Sequence, residues 1–127
     1  MTDTTDRNAQ PEGLTEAVIR ALEDIKAQDI QVIDVHEKTA LMDTLVVASG
    51  TSKRHVSAVV SSVAEDLKKQ GFVVRAQEGS SDSDWVLIDL TDLVLHVMIP
   101  ETRAYYDIER LWSGAGPMGA ESEAEPD

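Results

Sequence analysis

DSDWVLIDLTDLVLHVMI, residues 82 to 99, carries the clearest structural pattern in this chain of 127 residues. Two runs rich in Val, Ile and Leu flank the dipeptide Thr91-Asp92, which predicts two β-strands joined by a two-residue turn. With that turn, aliphatic side chains face each other across the strands on one side of the hairpin. The facing pairs are Leu90 with Leu93, Ile88 with Leu95, and Val86 with Val97. We therefore expect this side to lie in the core.

The opposite side of the predicted hairpin is mixed in character. It carries Trp85, Leu87, Asp89, Val94, His96 and Met98. An indole offers a large apolar ring together with an N–H donor, a combination that is enriched at protein interfaces. Helices, however, usually cover both faces of the sheet in an α/β layer fold. Trp85 is thus either an exposed anchor for a partner or a core residue beneath a helix.

Hydrophobic periodicity predicts further helices and strands on both sides of the hairpin. They are a helix from an N-cap at Thr15 to about residue 28, strands over 29–36 and 44–49, a helix capped by Thr51 or Ser52 that runs to about residue 70, a strand over 72–76, and a short helix from Pro100 with Tyr105, Ile108 and Trp112 on one face. The first two strands are expected to be interior and to pair as a hairpin. The strands on either side of the long helix imply a parallel crossover.

The resulting order αββαβββα predicts the α/β class, with a single domain in which a mixed sheet of about five strands is flanked by helices. Three helices are few for five strands, so part of the sheet at the hairpin side is expected to stay uncovered. Residues 1–13 and 114–127 lack an apolar pattern. They are predicted to be a disordered leader and a disordered acidic tail around a domain over 14–113.

The charge distribution limits the classes of partner. Twenty-four acidic and 11 basic residues give a net charge of −13, which disfavours direct nucleic-acid binding because phosphate contacts need a basic face. Residues 14–77 hold nine acids and eight bases, whereas 78–110 hold eight acids and two bases. This acidic last third either serves solubility or steers a basic partner towards the side that carries Trp85.

The composition also bears on the cellular compartment. The chain has no Cys, which excludes disulfides and thiolate metal sites and fits a reducing compartment. No apolar run approaches the roughly 20 residues that span a bilayer, and the polar, acidic N-terminus is unlike a signal peptide. We expect a soluble cytoplasmic protein with no membrane association.

No motif in the sequence assembles a catalytic site. GTSKRH at 50–55 has a strand–Gly–helix pattern that can hold an anion, but the Gly and Lys spacing of a phosphate-binding loop is missing. A nucleotidyltransferase-type site needs paired acids soon after such a turn, and Asp82-Ser83-Asp84 comes much further along the chain. The three histidines, His36, His55 and His96, show no metal-ligand spacing. The sequence predicts no catalytic residue, no metal site and no cofactor.

Four segments resemble the Iojap-like family of bacterial ribosomal silencing factors. They are GTSKRHV at 50–56, EG at 78–79, DWVLIDLTDLVLHVM at 84–98, and the ending that contains Tyr106, Glu109, Leu111 and Trp112. The resemblance covers residues 14 to 113. It implies a fold similar to the nucleotidyltransferases without their catalytic acids, and therefore a protein that is not an enzyme.

The resemblance also implies a function and partners. Members of this family are translational repressors that bind the large ribosomal subunit through its basic ribosomal protein fourteen. They sterically block association with the small subunit and so reduce translation when nutrients are limited. Organellar relatives act in assembly of the large subunit, and dimers have been associated with the family.

The hairpin and the resemblance together predict one partner-binding surface. Trp85 is the expected anchor, with Leu90 at the hairpin end, Met98 beside the indole, and carboxylates facing Lys or Arg of the partner. The full predicted set is Asp84, Trp85, Asp89, Leu90, Asp92, His96, Met98 and Tyr106. Three alternatives stay open: a large-subunit assembly factor, a nucleotide-handling enzyme of nucleotidyltransferase type, and a homodimeric scaffold whose hairpin binds only itself.

Overall fold

The computed structural model describes residues 13–80 and 82–113, which form four helices and five strands. In chain order these are α1 (Leu14–Asp24), β1 (Gln28–Asp34), β2 (Thr44–Ser49), α2 (Lys53–Lys69), β3 (Ala76–Glu78), β4 (Trp85–Asp89), β5 (Leu93–Met98), α3 (Pro100–Tyr106) and α4 (Ile108–Ser113). The predicted α/β class with a five-stranded mixed sheet is confirmed. Residues 1–12 of the leader predicted over 1–13, and the tail predicted over 114–127, lie outside the described residues.

The sheet has the strand order β1-β2-β5-β4-β3. β2 and β5 are parallel neighbours, and the other neighbouring pairs are antiparallel. The predicted hairpin of β4 and β5 is confirmed together with its register, since Val86 pairs with Val97 and Ile88 pairs with Leu95. The predicted pairing of the first two strands is also confirmed.

Helices α1 and α2 cover one face of the sheet, because each presents an apolar stripe at helical spacing. The stripe residues are Leu14, Val18 and Leu22 in α1 and Val56, Val59, Val63 and Leu67 in α2. They pack on the aliphatic side of the hairpin and on Val46 of β2. Each buried side chain of this kind contributes roughly 1.5–3 kcal/mol, so this layer is the main core.

The two long helices begin in different ways. α1 follows Gly13, which takes the N-cap position with a φ of 80° in place of the predicted Thr15. Glycine adopts this left-handed conformation without steric penalty. α2 begins after Ser52, whose Oγ accepts the backbone N–H of His55 at 3.1 Å. This confirms Ser52, rather than Thr51, as the cap.

The prediction that β1 is interior is wrong. β1 is an edge strand with a single neighbour, and its Val32 is 45% exposed. Asp29 and Asp34 lie on it, and its pairing is irregular between Gln28 and Gln31. Charge and irregular pairing protect an edge strand from pairing with other chains. The apolar residues of β1 suggested burial, but the strand order leaves one side of it open.

β3 is shorter than predicted and begins later in the chain. The prediction placed a strand over 72–76, whereas pairing begins only at Ala76 and joins β3 to β4. Phe72 and Val74 instead pack against the core without joining the ladder. β3 runs in the same direction as β2, as the crossover requires, but β5 and β4 lie between them.

The predicted C-terminal helix is divided into α3 and α4 by Asp107. This residue has φ 50° and ψ 48°, a left-handed conformation that Asp tolerates better than most side chains. As a result Tyr105 is 81% exposed, whereas Ile108 and Trp112 pack on the second face of the sheet. The predicted common face of the three residues is therefore wrong for Tyr105.

The second face of the sheet is covered in part. α4 lies over β1, and two of its apolar side chains, Ile108 and Trp112, pack against a smaller core cluster. The buried members of that cluster are Ile33, Val35, Leu45, Val47 and Met98. The half of this face formed by β4 and β5 remains partly exposed. No helix of residues 13–80 or 82–113 is long and apolar enough to cross a bilayer.

Candidate partner-binding surface

The partly exposed side of the β4–β5 hairpin forms a continuous surface with the end of α3, and we call it the hairpin face. Its residues are Trp85, Leu87, Asp89, Val94, His96 and Tyr106. The strand residues share one side because side chains alternate along a strand, and α3 returns over β4 so that Tyr106 meets Trp85. Five of the eight sequence-predicted site residues belong to it: Trp85, Asp89, His96 and Tyr106 directly, and Asp84 at its border.

Trp85 is half-buried and held in a fixed orientation. Its indole N–H donates to Nδ1 of His96 at 2.9 Å. The ring of Tyr106 lies against it, with centroids 4.8 Å apart and an interplanar angle of 49°. Its inner edge packs on the second core cluster. One part of the side chain is therefore core, and another part remains accessible, as an anchor for a partner would require.

His96 completes this arrangement as a neutral hydrogen-bond acceptor. An indole nitrogen can only donate, so Nδ1 of His96 carries no proton and the ring proton is on Nε2. Burial lowers the pKa of His96 from 6.5 to about 4, because the charged ring would lose its hydration. At neutral pH the histidine is therefore uncharged and orients Trp85.

The aromatic surface extends beyond the residues that the sequence singled out. Tyr105 stands edge-on against Tyr106, with ring centroids 5.0 Å apart and an angle of 88°. Tyr106 is 53% exposed, so the three rings of Trp85, Tyr106 and Tyr105 form a run from the sheet onto α3. Sequence reasoning placed Tyr105 on the same helix face as Ile108 and Trp112, because the pattern gave no sign of the break at Asp107. Leu87 and Val94 also belong to the surface and were recognisable from strand alternation.

Two predicted contact residues need correction, because the structure buries them. Leu90 is 4% exposed and belongs to the main core under α1 and α2. Met98 is fully buried between its neighbours on β4 and β2, Trp85 and Ser49. Neither offers a surface to a partner in this conformation. Met98 instead belongs to the second core cluster, against which Trp85 packs.

The three predicted carboxylates do not converge. Asp84 Oδ2 accepts the hydroxyl of Thr102 at 2.8 Å, at one end of β4. Asp89, at the other end of β4, lies 3.3 Å from a guanidinium nitrogen of Arg75. Five strand residues span about 17 Å, so these acids flank the indole from opposite directions.

Asp92 lies in the hairpin turn and not on the hairpin face. Its backbone C=O accepts the N–H groups of Asp43 and Thr44. Partial burial, and secondarily the charge of Asp43, raise the pKa of the Asp92 carboxyl above its ordinary value. Its position therefore does not support the predicted direct contact with a partner.

The Gly50–His55 turn, where a nucleotide would have to bind, serves to join helices. His55 accepts the N–H of Thr51 through Nδ1 at 2.9 Å, so its Nε2 donates to the carbonyl of Ile25 at 2.9 Å. A Cβ on Gly50 would lie 2.8 Å from the Val56 side chain, which shows how closely α2 approaches the strand. Among the described residues, no three His, Asp or Glu side chains are grouped as metal ligands.

Comparison with known proteins agrees with this fold and identifies a family. The family model described as "Ribosomal silencing factor during starvation" matches residues 7–127. The chain belongs to this ribosomal silencing factor family. A relative from Chromobacterium violaceum, named ribosomal silencing factor RsfS, is 43% identical over 113 residues, which are 89% of this chain and 93% of that protein.

Other members of this family extend the comparison to structure and to organelles. An X-ray crystal structure of a Chromobacterium violaceum protein, 42% identical, superposes with a TM-score of 0.78 and covers 91% of this chain and 96% of that one. A mouse protein named "Mitochondrial assembly of ribosomal large subunit protein 1" is 35% identical over 99 residues, 76% of this chain and 43% of that protein.

Proposed function

We propose that this protein is a translational repressor that binds the large ribosomal subunit through its ribosomal protein fourteen. In the proposed mechanism the bound protein sterically blocks the small subunit, and translation falls when nutrients are limited. Family membership supports a silencing role. The observation that carries the choice of surface is Trp85, an indole fixed by His96 on a sheet face that the helices leave partly exposed.

The chemistry of the hairpin face suits a basic protein surface with an apolar pocket. Aromatic side chains at the centre of an interface carry a disproportionate share of the binding free energy. Trp85 is already held in place, so less conformational freedom is lost when it binds. Asp84 and Asp89 flank the indole, within a segment that holds eight acids and two bases over 78–110. Such charge complementarity chiefly raises the association rate.

The proposed mechanism needs size and position but no chemical step. A folded unit of about 100 residues has a radius of gyration of about 13 Å. A domain of that thickness cannot fit between two ribosomal surfaces that meet directly. Binding near the joining face is therefore sufficient for repression, and the cytoplasm, where subunits associate, is the proposed place of action.

Co-sedimentation with purified large subunits tests the surface. Trp85→Ala should weaken binding by on the order of thirtyfold or more, which corresponds to about 2 kcal/mol for loss of a central aromatic anchor. Trp85→Phe should have a smaller effect, because it keeps a ring but loses the hydrogen bond to His96. The matched control is Val32→Ala, since Val32 is also exposed and lies on the edge strand β1, with β2 and β5 between it and β4. Equal binding of the Trp85→Ala and control variants, with both folded, would refute the proposed surface.

Light scattering of mixed ribosomal subunits tests the steric mechanism. A saturating amount of wild-type protein should reduce the association of small with large subunits, and Trp85→Ala at the same concentration should not. Normal association in the presence of wild-type protein that is demonstrably bound to the large subunit would reject steric blocking while leaving the docking surface intact.

A role in large-subunit assembly is the second candidate, and the name of the mouse relative favours it. Cells that lack the protein would then accumulate precursors of the large subunit during growth in rich medium. A repressor without an assembly role would leave that profile unchanged and alter subunit joining only under limitation. Self-association through the hairpin face is a further possibility, which analytical ultracentrifugation of wild type and Trp85→Ala measures.

A further inference from the structure

The corner between α3 and α4 contains an ion pair that is largely buried. Nη2 and Nε of Arg103 donate to the same carboxylate oxygen of Glu109 at 2.7 and 3.0 Å. Nη1 of Arg103 donates to the hydroxyl of Ser49 at 2.8 Å. The Arg103 and Glu109 side chains are 11% and 22% exposed, and Ser49 is buried. One guanidinium thus joins α3 to α4 and to the end of β2.

The contacts of Arg103 are of a kind that fixes geometry. A guanidinium is a rigid, planar group that can satisfy several acceptors only in one arrangement. A buried ion pair adds little net stability compared with well-packed apolar residues. We therefore expect the Arg103–Glu109 pair to fix the position of α3 relative to α4 and β2 more than to stabilise the fold.

The helix held by Arg103 is α3, which carries Tyr106. α3 has only seven residues, and an isolated helix of that length is unstable in water. Its first turn is tied to Asp84 through the Thr102 hydroxyl, and its last turn is tied by Arg103. Tyr106 is its final residue and lies on the indole of Trp85.

We propose that Arg103 is a positioning residue of the hairpin face: by holding α3 against α4 and β2, it keeps Tyr106 on Trp85 and so sets the accessible shape of the anchor. This inference rests on the proposed function, in which Trp85 is the anchor. Arg103 itself need not touch the partner, because it acts through Tyr106.

A double-mutant cycle on large-subunit binding tests this route. Arg103→Lys keeps the charge but cannot reach Glu109 and Ser49 together. It should weaken binding by roughly fivefold to tenfold in the wild-type background and by less than twofold in the Tyr106→Ala background, because residues that act as one unit are not additive. Arg110→Gln is the matched control, since Arg110 forms an exposed pair at 3.8 Å in the same corner. Equal weakening by Arg103→Lys in both backgrounds would overturn the proposal.

A second measurement needs no ribosome. In a Trp112→Phe background, Trp85 is the single tryptophan, and acrylamide quenching of its fluorescence reports how well Tyr106 covers it. Arg103→Lys should raise the quenching constant towards the value for Tyr106→Ala, and Arg110→Gln should not. Unchanged quenching in Arg103→Lys would overturn the positioning role even if binding were weaker.

The two measurements also separate this inference from the proposed function. If wild-type protein fails to bind large subunits, the proposed function fails, whereas quenching still decides whether Arg103 positions Tyr106. If Arg103→Lys does not fold, Glu109→Gln is used in its place. This substitution removes the negative charge that faces Arg103, while Arg103 keeps its hydrogen bond to Ser49. Increased quenching and weaker binding in folded Glu109→Gln support the proposal, and unchanged values of both contradict it.

Discussion

Acid should destabilise this protein through His96. The folded protein holds the ring neutral because burial lowers the pKa of His96 from 6.5 to about 4. The unfolded chain exposes the ring, which then takes up a proton near its ordinary value of 6.5. Between these two values the unfolded state binds more protons than the folded state. By linkage, the stabilisation is complete above pH 6.5 and is lost as the pH falls towards 4.

The size of the effect follows from the separation of the two pKa values. One pKa unit corresponds to about 1.4 kcal/mol. The free energy of unfolding should therefore fall, relative to neutral pH, by about 2 kcal/mol at pH 5 and about 3 kcal/mol at pH 4 from this residue alone. That loss is a large fraction of the total stability of a small domain, which is usually about 5–15 kcal/mol.

Urea unfolding at a series of pH values measures this loss, with His96→Gln as the reference. Gln cannot be protonated in this range, yet its amide oxygen can accept the indole N–H. Contributions from other groups, such as the raised pKa of His36 that its hydrogen bond to Asp34 causes, are common to both proteins and cancel. The difference in stability between wild type and His96→Gln should shift by about 3 kcal/mol against the wild type from pH 7 to pH 4. A constant difference would refute the claim that His96 is buried and neutral.

Three further substitutions test other parts of the structure. Gly50→Ala should lower the free energy of unfolding by about 1–3 kcal/mol, because the added Cβ would lie 2.8 Å from the Val56 side chain. Thermal unfolding measures this loss, and an unchanged melting temperature would contradict the close contact. Asp92→Asn should raise the free energy of unfolding at neutral pH, because burial and the charge of Asp43 raise the pKa of the Asp92 carboxyl. This gain in stability should vanish as the pH falls through that pKa, and a gain that persists in acid would have another origin. His55→Ala should lower the free energy of unfolding, measured in urea, by roughly 1–3 kcal/mol, because the N–H of Thr51 and the carbonyl of Ile25 lose their hydrogen-bond partner. An unchanged free energy of unfolding would mean that water takes the place of the imidazole ring.

Local sequence signals predicted those elements whose partners are close in the chain. The register of the β4–β5 hairpin followed from Thr91-Asp92 and from alternation, because a two-residue turn leaves one way to pair the strands. The boundaries of α2 followed from Ser52 and from Gly71, which stands just past its last turn. These features depend on interactions within a few residues, which the sequence states directly.

The composition of the hairpin face was only partly predictable. Trp85, Asp89, His96 and Tyr106 lie together on it, whereas Leu90 and Met98, which were predicted beside them, are buried. Alternation assigned Met98 to the correct side of the sheet, but it could not show that the second core cluster continues under that end of the hairpin. Arg103 gave no signal, because its partners Glu109 and Ser49 come together only when α3, α4 and β2 meet.

By itself the sequence determined the α/β class, the paired strands, the acidic last third and the mixed side that bears Trp85, since composition and periodicity are local properties. The tertiary structure alone decided that β1 is an edge strand, that β3 pairs with β4, and that Trp85 is oriented by His96 and covered by Tyr106. The physical reason is that burial depends on what packs on the other side of a residue. Strand order and helix placement set this through contacts between distant segments, which no local pattern encodes.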